Sequence, residues 1–279
     1  MLIGFIGDVH GKVFNAIAVA AMWQAIKGER FDLLIQLGDL GAYPDPDRFD
    51  EAAKRYLEFD SSVQGFKSLL QAEGRRAELL RKMRESFAGP IYFLRGNHED
   101  FEYLNGLEMD KTSEAAPVDP FDLYRFVPDG TVIEFGDTRI AFLGGIETKV
   151  PDARSFDGEA YEALDAMGTG AFDILVTHEP PYGIGVGFRG NLQGSKMVTS
   201  LDRADPADLP PVRSSAPPER ASDLRRDHVS EPFGSRRLGQ VGTPRYQLTA
   251  GLPGNTGYRD LNPDAGNGRV ADEIPRQGL

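Results

Sequence analysis

Leu2-Ile3-Gly4-Phe5-Ile6-Gly7-Asp8-Val9-His10-Gly11 is an apolar run that halts at a glycine and is followed at once by a carboxylate and an imidazole. A run that is apolar on both faces reads as a strand covered by other layers, and a glycine with polar residues marks its end. In extended backbone Asp8 and His10, two residues apart, point to the same side and can grip one ion. The same form recurs at Leu33 to Leu37 followed by Gly38-Asp39-Leu40-Gly41, at Ile91 to Leu94 followed by Arg95-Gly96-Asn97-His98-Glu99, and at Ile174 to Thr177 followed by His178-Glu179. Three of the chain's four histidines stand in these segments, and the last is in Arg226-Asp227-His228. Taken singly, Gly-Asp is a turn signal and Asp-x-His is weak. Their joint occurrence, each at a strand end, points to one metal site built from those ends.

Between the strands, Val13 to Ile26, Asp50 to Phe59, Phe66 to Ser86 and Gly158 to Ala166 carry apolar residues at helical spacing with charged opposite faces. Thr131 to Phe135 and Arg139 to Leu143 read as two further strands, joined by a tight turn at Phe135-Gly136-Asp137-Thr138. The order predicts an α/β layered domain with helices outside a sheet or sheet pair. Its chemistry belongs at the C-terminal ends of the strands, where loops converge. Trp23, on the apolar face of the first helix, is expected in the core.

The chain has 279 residues, 40% of them hydrophobic, enough for a buried core. It has no cysteine, so any metal is held by nitrogen and oxygen. Such a donor set suits Mn²⁺, Fe or Zn²⁺. The formal charge of −12 disfavours nucleic acid and anionic lipid as partners. A small phosphorylated substrate is the expected partner, and the oligomeric state is left open. Asp8 follows the first apolar residues too soon for a signal peptide, and no apolar run approaches the ~18 residues that cross a bilayer. A soluble, cytoplasmic protein is expected.

Composition changes after Leu201. Residues Asp202 to Asp227 hold almost no aliphatic side chains and are punctuated by Pro206, Pro210, Pro211, Pro217 and Pro218. Such a stretch cannot offset its ordering entropy by burial, so residues 1–201 are expected to form the domain and 202–279 a largely disordered segment.

With these motifs in hand, the sequence resembles the calcineurin-like metallophosphoesterase superfamily, whose pattern is Asp-x-His, Gly-Asp, Gly-Asn-His-Glu/Asp, a lone His and Gly-His-x-His. The first four stand in full as Asp8/His10, Gly38/Asp39, Gly96 to Glu99 and His178. The resemblance implies a four-layer α/β/β/α sandwich and a site for two divalent metal ions, with Asp8 and His10 on one, Asn97 and His178 on the other, and Asp39 bridging. It implies hydrolysis of phosphate mono- or diesters by metal-activated hydroxide, with His98 as the acid beside the substrate. The fifth motif would fall on Arg225-Arg226-Asp227-His228, so His228 is retained as a candidate ligand while arginine replaces the glycine and first histidine. Arginine stays protonated and cannot coordinate a cation. Two accounts of the break are open: residues 202–227 are a frame-shifted reading whose original text resumes near His228, or the chain has diverged and Arg226 offers positive charge to a phosphate. The break also motivates an alternative function, a catalytically defective relative that binds metal or a phosphorylated ligand without turnover. Of the lesser features, Arg95 is expected to play a structural part at its strand end. Glu99 and Asp100 read either as orienting His98 or as facing solvent, the loop from Gly187 to Gly194 is expected to rim the cleft, and Ser195 to cap a short helix.

Overall fold

The computed structural model describes residues 1–109, 114–168, 170–186 and 190–201, and the backbone of 246–249. In chain order the elements are β1 (Ile3–Ile6), α1 (Val13–Lys27), β2 (Leu33–Gln36), α2 (Glu51–Leu57), α3 (Gly65–Leu70), α4 (Gly74–Glu85), β3 (Ile91–Phe93), α5 (Phe101–Asn105), β4 (Ala116–Pro117) and β5 (Tyr124–Phe126). They continue as β6 (Val132–Phe135), β7 (Thr138–Leu143), α6 (Gly158–Met167), β8 (Ile174–Thr177), β9 (Gly185–Val186), β10 (Leu192–Gln193), α7 (Lys196–Leu201) and β11 (Tyr246–Thr249).

Two large sheets result, ordered β1-β2-β3-β5-β4 and β11-β8-β7-β6, beside a two-stranded one of β10 and β9. In the first sheet β1, β2, β3 and β5 are mutually parallel, with Ile3 opposite Leu33 and Leu34 opposite Ile91, and β4 runs against its neighbour. The alternation of side chains along each strand sorts them into layers. Leu33 and Ile35 of β2, Ile140 and Phe142 of β7, and Ile174 and Val176 of β8 meet in one apolar cluster between the sheets. Their alternates face outward. Leu34 joins Ile17, Phe66 and Leu80 beneath α1, α3 and α4, whereas Leu143 and Leu175 join Leu164 and Val198 beneath α6 and α7. The order helix, sheet, sheet, helix is the expected four-layer sandwich. It follows because β2, β7 and β8 each present apolar side chains to both neighbouring layers.

Several sequence expectations are adjusted. The helix expected over Phe66 to Ser86 is two helices, separated at Gln71 to Glu73, with Gly74 at φ +52° opening the second. The strand β5, between prolines and with Arg125 at its centre, lacks the length that gives a pattern, and it is recognised only through its pairing with β3. Trp23 is half-buried instead of core. It stacks on Phe31 with ring centroids 4.4 Å apart and lines an open groove of about 570 Å³ between α1 and β1. The groove exists because no strand in the described residues pairs with the outer edge of β1. Beyond Leu201, β11 pairs in parallel with β8; the rest of residues 202–279, expected to be largely disordered, lies outside the described residues. No helix among those described is long and apolar enough to cross a membrane.

Candidate metal centre

The loops after β1, β2, β3 and β8 meet at one end of the sandwich and deliver Asp8 and His10, Asp39, Asn97 and His98, and His178. Potential ligand atoms of Asp8, Asp39 and His178 all lie within 4.8 Å of one another. His10 Nε2 is 3.8 Å from both Asp8 Oδ2 and Asp39 Oδ2, and His178 Nε2 is 3.6 Å from Asp39 Oδ1 and 3.1 Å from Asn97 Oδ1. Five of the six residues expected to hold metal are therefore together. The sixth, His228, lies outside the described residues, as do Arg225, Arg226 and residues 187–189 of the glycine-rich loop.

Asp8 and His10 do not converge by strand alternation, as their spacing suggests. β1 ends at Ile6, and His10 sits at φ +45°, in the left-handed region. Asp39 is there too, at φ +54°. Non-glycine residues persist in that region only where the surroundings hold them. Backbone N–H groups of Val9 and His10 donate to the Asp39 carbonyl at 3.0 and 2.8 Å, locking the two loops together. Two glycines make the approach possible. A Cβ on Gly96 would stand 2.1 Å from Asp39 Oδ1, and one on Gly38, at φ +90°, would stand 2.6 Å from His178 Nδ1.

The ligands are held from behind. His178 Nδ1 is 2.9 Å from the Leu37 carbonyl. A carbonyl only accepts, so Nδ1 carries a proton and Nε2 is the nitrogen turned to the site. Asp39 Oδ1 accepts from the backbone N–H groups of Asn97 and His98, both at 2.8 Å. Gln36, fully buried, donates from its amide to the Gly7 carbonyl at 3.1 Å and accepts from Gly38 N–H at 3.1 Å, tying the ends of β1 and β2.

Glu99 and Asp100 are buried, 3% and 5% exposed, which removes the solvent-facing one of their two readings. Glu99 accepts from Leu40 N–H at 2.8 Å and Ala42 N–H at 2.7 Å and so shapes the loop that presents Asp39. Burial, followed by the charge of Asp39, pushes its carboxyl up to about 8. Asp100 pairs with Arg48 through two hydrogen bonds of 2.6 Å and caps α5 through Tyr103 N–H. Arg95 has the structural role expected of it: its guanidinium binds Asp129 at 2.6 Å and the carbonyls of Ala153 and Ser155.

His98 lies beside the ligand cluster, its ring centroid 5.6 Å from that of His10. Its Nδ1 is hydrogen-bonded to Asp50, whose other oxygen caps α2 by accepting from Ala53 N–H at 2.7 Å. The Asp50 bond is the largest influence on His98 and raises its pKa against the opposing effect of burial. For Asp50 burial acts upward, but the His98 and Ala53 hydrogen bonds outweigh it and hold the carboxyl at about 2. Sequence reading misses Asp50 and Gln36. An aspartate before a helix reads as a cap, and a glutamine in an apolar strand as a weak strand residue.

The donor set fits a cation. Asp8 Oδ1 is buried without a hydrogen-bond partner among the described residues. Native proteins rarely leave such an oxygen unsatisfied, and a metal ion satisfies it. His178 Nε2 and Asn97 Oδ1, 3.1 Å apart, are a nitrogen and an oxygen of the kind that coordinate one cation.

The family description "calcineurin-like phosphoesterase" matches residues 1–203 of the chain. A search of curated proteins finds no match.

Proposed function

Because the chain belongs to the calcineurin-like phosphoesterases, for which the family implies metal-dependent phosphoester hydrolysis, we propose that it hydrolyses mono- or diesters of small phosphorylated molecules at two divalent ions, Mn²⁺, Fe or Zn²⁺. In this reading Asp8 and His10 hold one ion, Asn97 and His178 the other, and Asp39 is shared between them. Ions bound there supply Lewis acidity, neutralising phosphate oxygens and making water a competent nucleophile near neutral pH. The observation that carries the reading is the convergence of these five side chains from four separate loops, with one oxygen of Asp8 buried and unpartnered among the described residues.

The remaining chemistry belongs to His98. With Nδ1 held by Asp50, its Nε2–H is the proton donor to the departing oxygen. Water forms the new P–O bond and gives up a proton to solvent, the ester P–O bond breaks, the leaving alkoxide takes the His98 proton to become an alcohol, and His98 regains a proton from solvent. The Asp50 carboxylate stabilises the protonated ring and fixes its direction. A second reading, binding without turnover, rests on Arg225 and Arg226 at the fifth motif. Release of alcohol from phosphate mono- and diesters with added Mn²⁺, together with elemental analysis, separates the two. Turnover with about two ions per chain supports the hydrolase; one ion or none and no turnover support the binder.

A further inference from the structure

Behind His98 is a recess of about 40 Å³ that the metal ligands do not fill. Its walls combine Ala52 and Ala53 of α2 with the side chains of Asp50, His98 and Tyr43. Tyr43 is 3% exposed and packs with Phe49 and Val63 in a small apolar cluster, edge-on to Phe49 at 5.0 Å. Its hydroxyl is buried and has no hydrogen-bond partner among the described residues. Packing does not account for that hydroxyl, since phenylalanine would fill the same space without burying a polar group. Buried hydroxyls in native proteins are almost always paired, and this one is shut off from solvent, so the partner has to be a neighbouring side chain.

Two carboxylates act on it. Burial is the largest influence raising the pKa of Tyr43, followed by the charge of Asp50 and then by that of Glu99. Of the two, Asp50 shares the recess wall with Tyr43. One Asp50 oxygen accepts from Ala53 N–H and the other is bonded to His98, and a carboxylate oxygen has a second lone pair. Tyr43 is also among the groups that lower the pKa of Asp50, after the larger effects of burial, which acts upward, and of His98 and Ala53.

We propose that Tyr43 is a positioning residue for the proton donor: its hydroxyl donates to Asp50, and the chain Tyr43, Asp50, His98 fixes the direction of the His98 Nε2–H. The inference rests on the hydrolase reading given above. Held by Ala53 N–H, the Asp50 carboxylate can still swing together with the His98 ring. A second donor, on a ring itself clamped by Phe49 and Val63, removes that freedom. The hydroxyl keeps its proton throughout, and no bond to substrate forms or breaks at Tyr43.

The test compares leaving groups. The para-nitrophenolate ion is a weak base and gains little from a proton donor, whereas phenolate gains much more. Tyr43→Phe should lower the ratio of kcat on phenyl phosphate to kcat on para-nitrophenyl phosphate about tenfold, a part of the ~10²–10⁴ that a proton donor supplies. In an Asp50→Asn background the same change should lower the ratio no further, because Tyr43 acts through Asp50. An equal loss on both esters, or a further loss in the double variant, overturns the positioning role. A second measurement needs neither turnover nor a change at Tyr43. In proton NMR of the Zn²⁺-loaded protein the Tyr43 hydroxyl, assigned through its ring protons, should give an exchange-protected downfield resonance that moves upfield in Asp50→Asn, where a neutral acceptor replaces the carboxylate. No such resonance, or one indifferent to Asp50→Asn, overturns the bond. Absence of turnover on either ester in the parent would overturn the hydrolase reading, and the hydroxyl resonance would still decide the bond from Tyr43 to Asp50.

Discussion

At the scale of single residues, Asp39 is the position through which the loops of the site communicate. Its carboxylate faces His10 through one oxygen and His178 through the other, and its carbonyl receives the loop after β1. Asp39→Asn keeps the size and removes the charge. It should reduce bound metal, measured by elemental analysis, more than the same change at Asp8; full occupancy would count against a shared role. His98 touches no ligand oxygen through its ring, and only its backbone N–H binds Asp39. His98→Ala should therefore retain metal while turnover falls by something like 10²–10⁴, the usual loss for a proton donor. Asp50→Asn should keep α2 capped and lower turnover less, because only the orientation and charge support of His98 are altered. Equal turnover in parent and His98→Ala would remove the histidine from the chemistry.

At the scale of elements, α7 shows how a six-residue helix is kept in place over the second sheet. Ser195, fully buried, accepts from Val198 N–H at 3.1 Å, the capping role its position suggests, and donates to Glu147 at 2.7 Å. Glu147 also accepts from Lys196 and Met197 N–H at 2.8 and 3.2 Å. Ser195→Ala should cost about 1 kcal/mol, read as a melting temperature lower by roughly 2–4 °C in a domain of this size. Burial acts upward on the Glu147 carboxyl, but the Ser195 bond and the two backbone donors prevail and hold it below the ordinary value of 4.5. A carboxyl depressed on folding adds stability above its unfolded pKa and loses it as pH falls through the folded one. The gap between parent and Ser195→Ala should accordingly narrow as pH drops below 4.5, and thermal melts at pH 7 and pH 3.5 check it.

For the whole molecule, bound metal and folding are linked. Two carboxylates and two imidazoles from loops far apart in sequence are held close by the sandwich, and cations that bind only this arrangement stabilise it by mass action. At a free concentration a hundredfold above the dissociation constant the gain is about 2.7 kcal/mol per site. Thermal melts with and without a chelator should differ by several degrees, and the difference should vanish in Asp39→Asn. An identical midpoint with and without chelator would mean that the described site does not hold metal in solution.

The sequence by itself determined which residues meet and in what fold. Strands apolar on both faces require layers on both sides, and a polar cluster directly after each such strand marks the end of the layers where loops converge. That reasoning places Asp8, His10, Asp39, Asn97, His98 and His178 in one site without coordinates. Only the tertiary structure decided what depends on contacts between distant segments: the left-handed backbone of His10 and Asp39, the burial of Glu99 behind the Asp39 loop, the bond from Asp50 to His98, and the recess beside them. The physical reason is that periodicity and turn signals report an element's exposure and its ends. A carboxylate's partner across some fifty residues is fixed by packing, and neither residue carries a local sign of it.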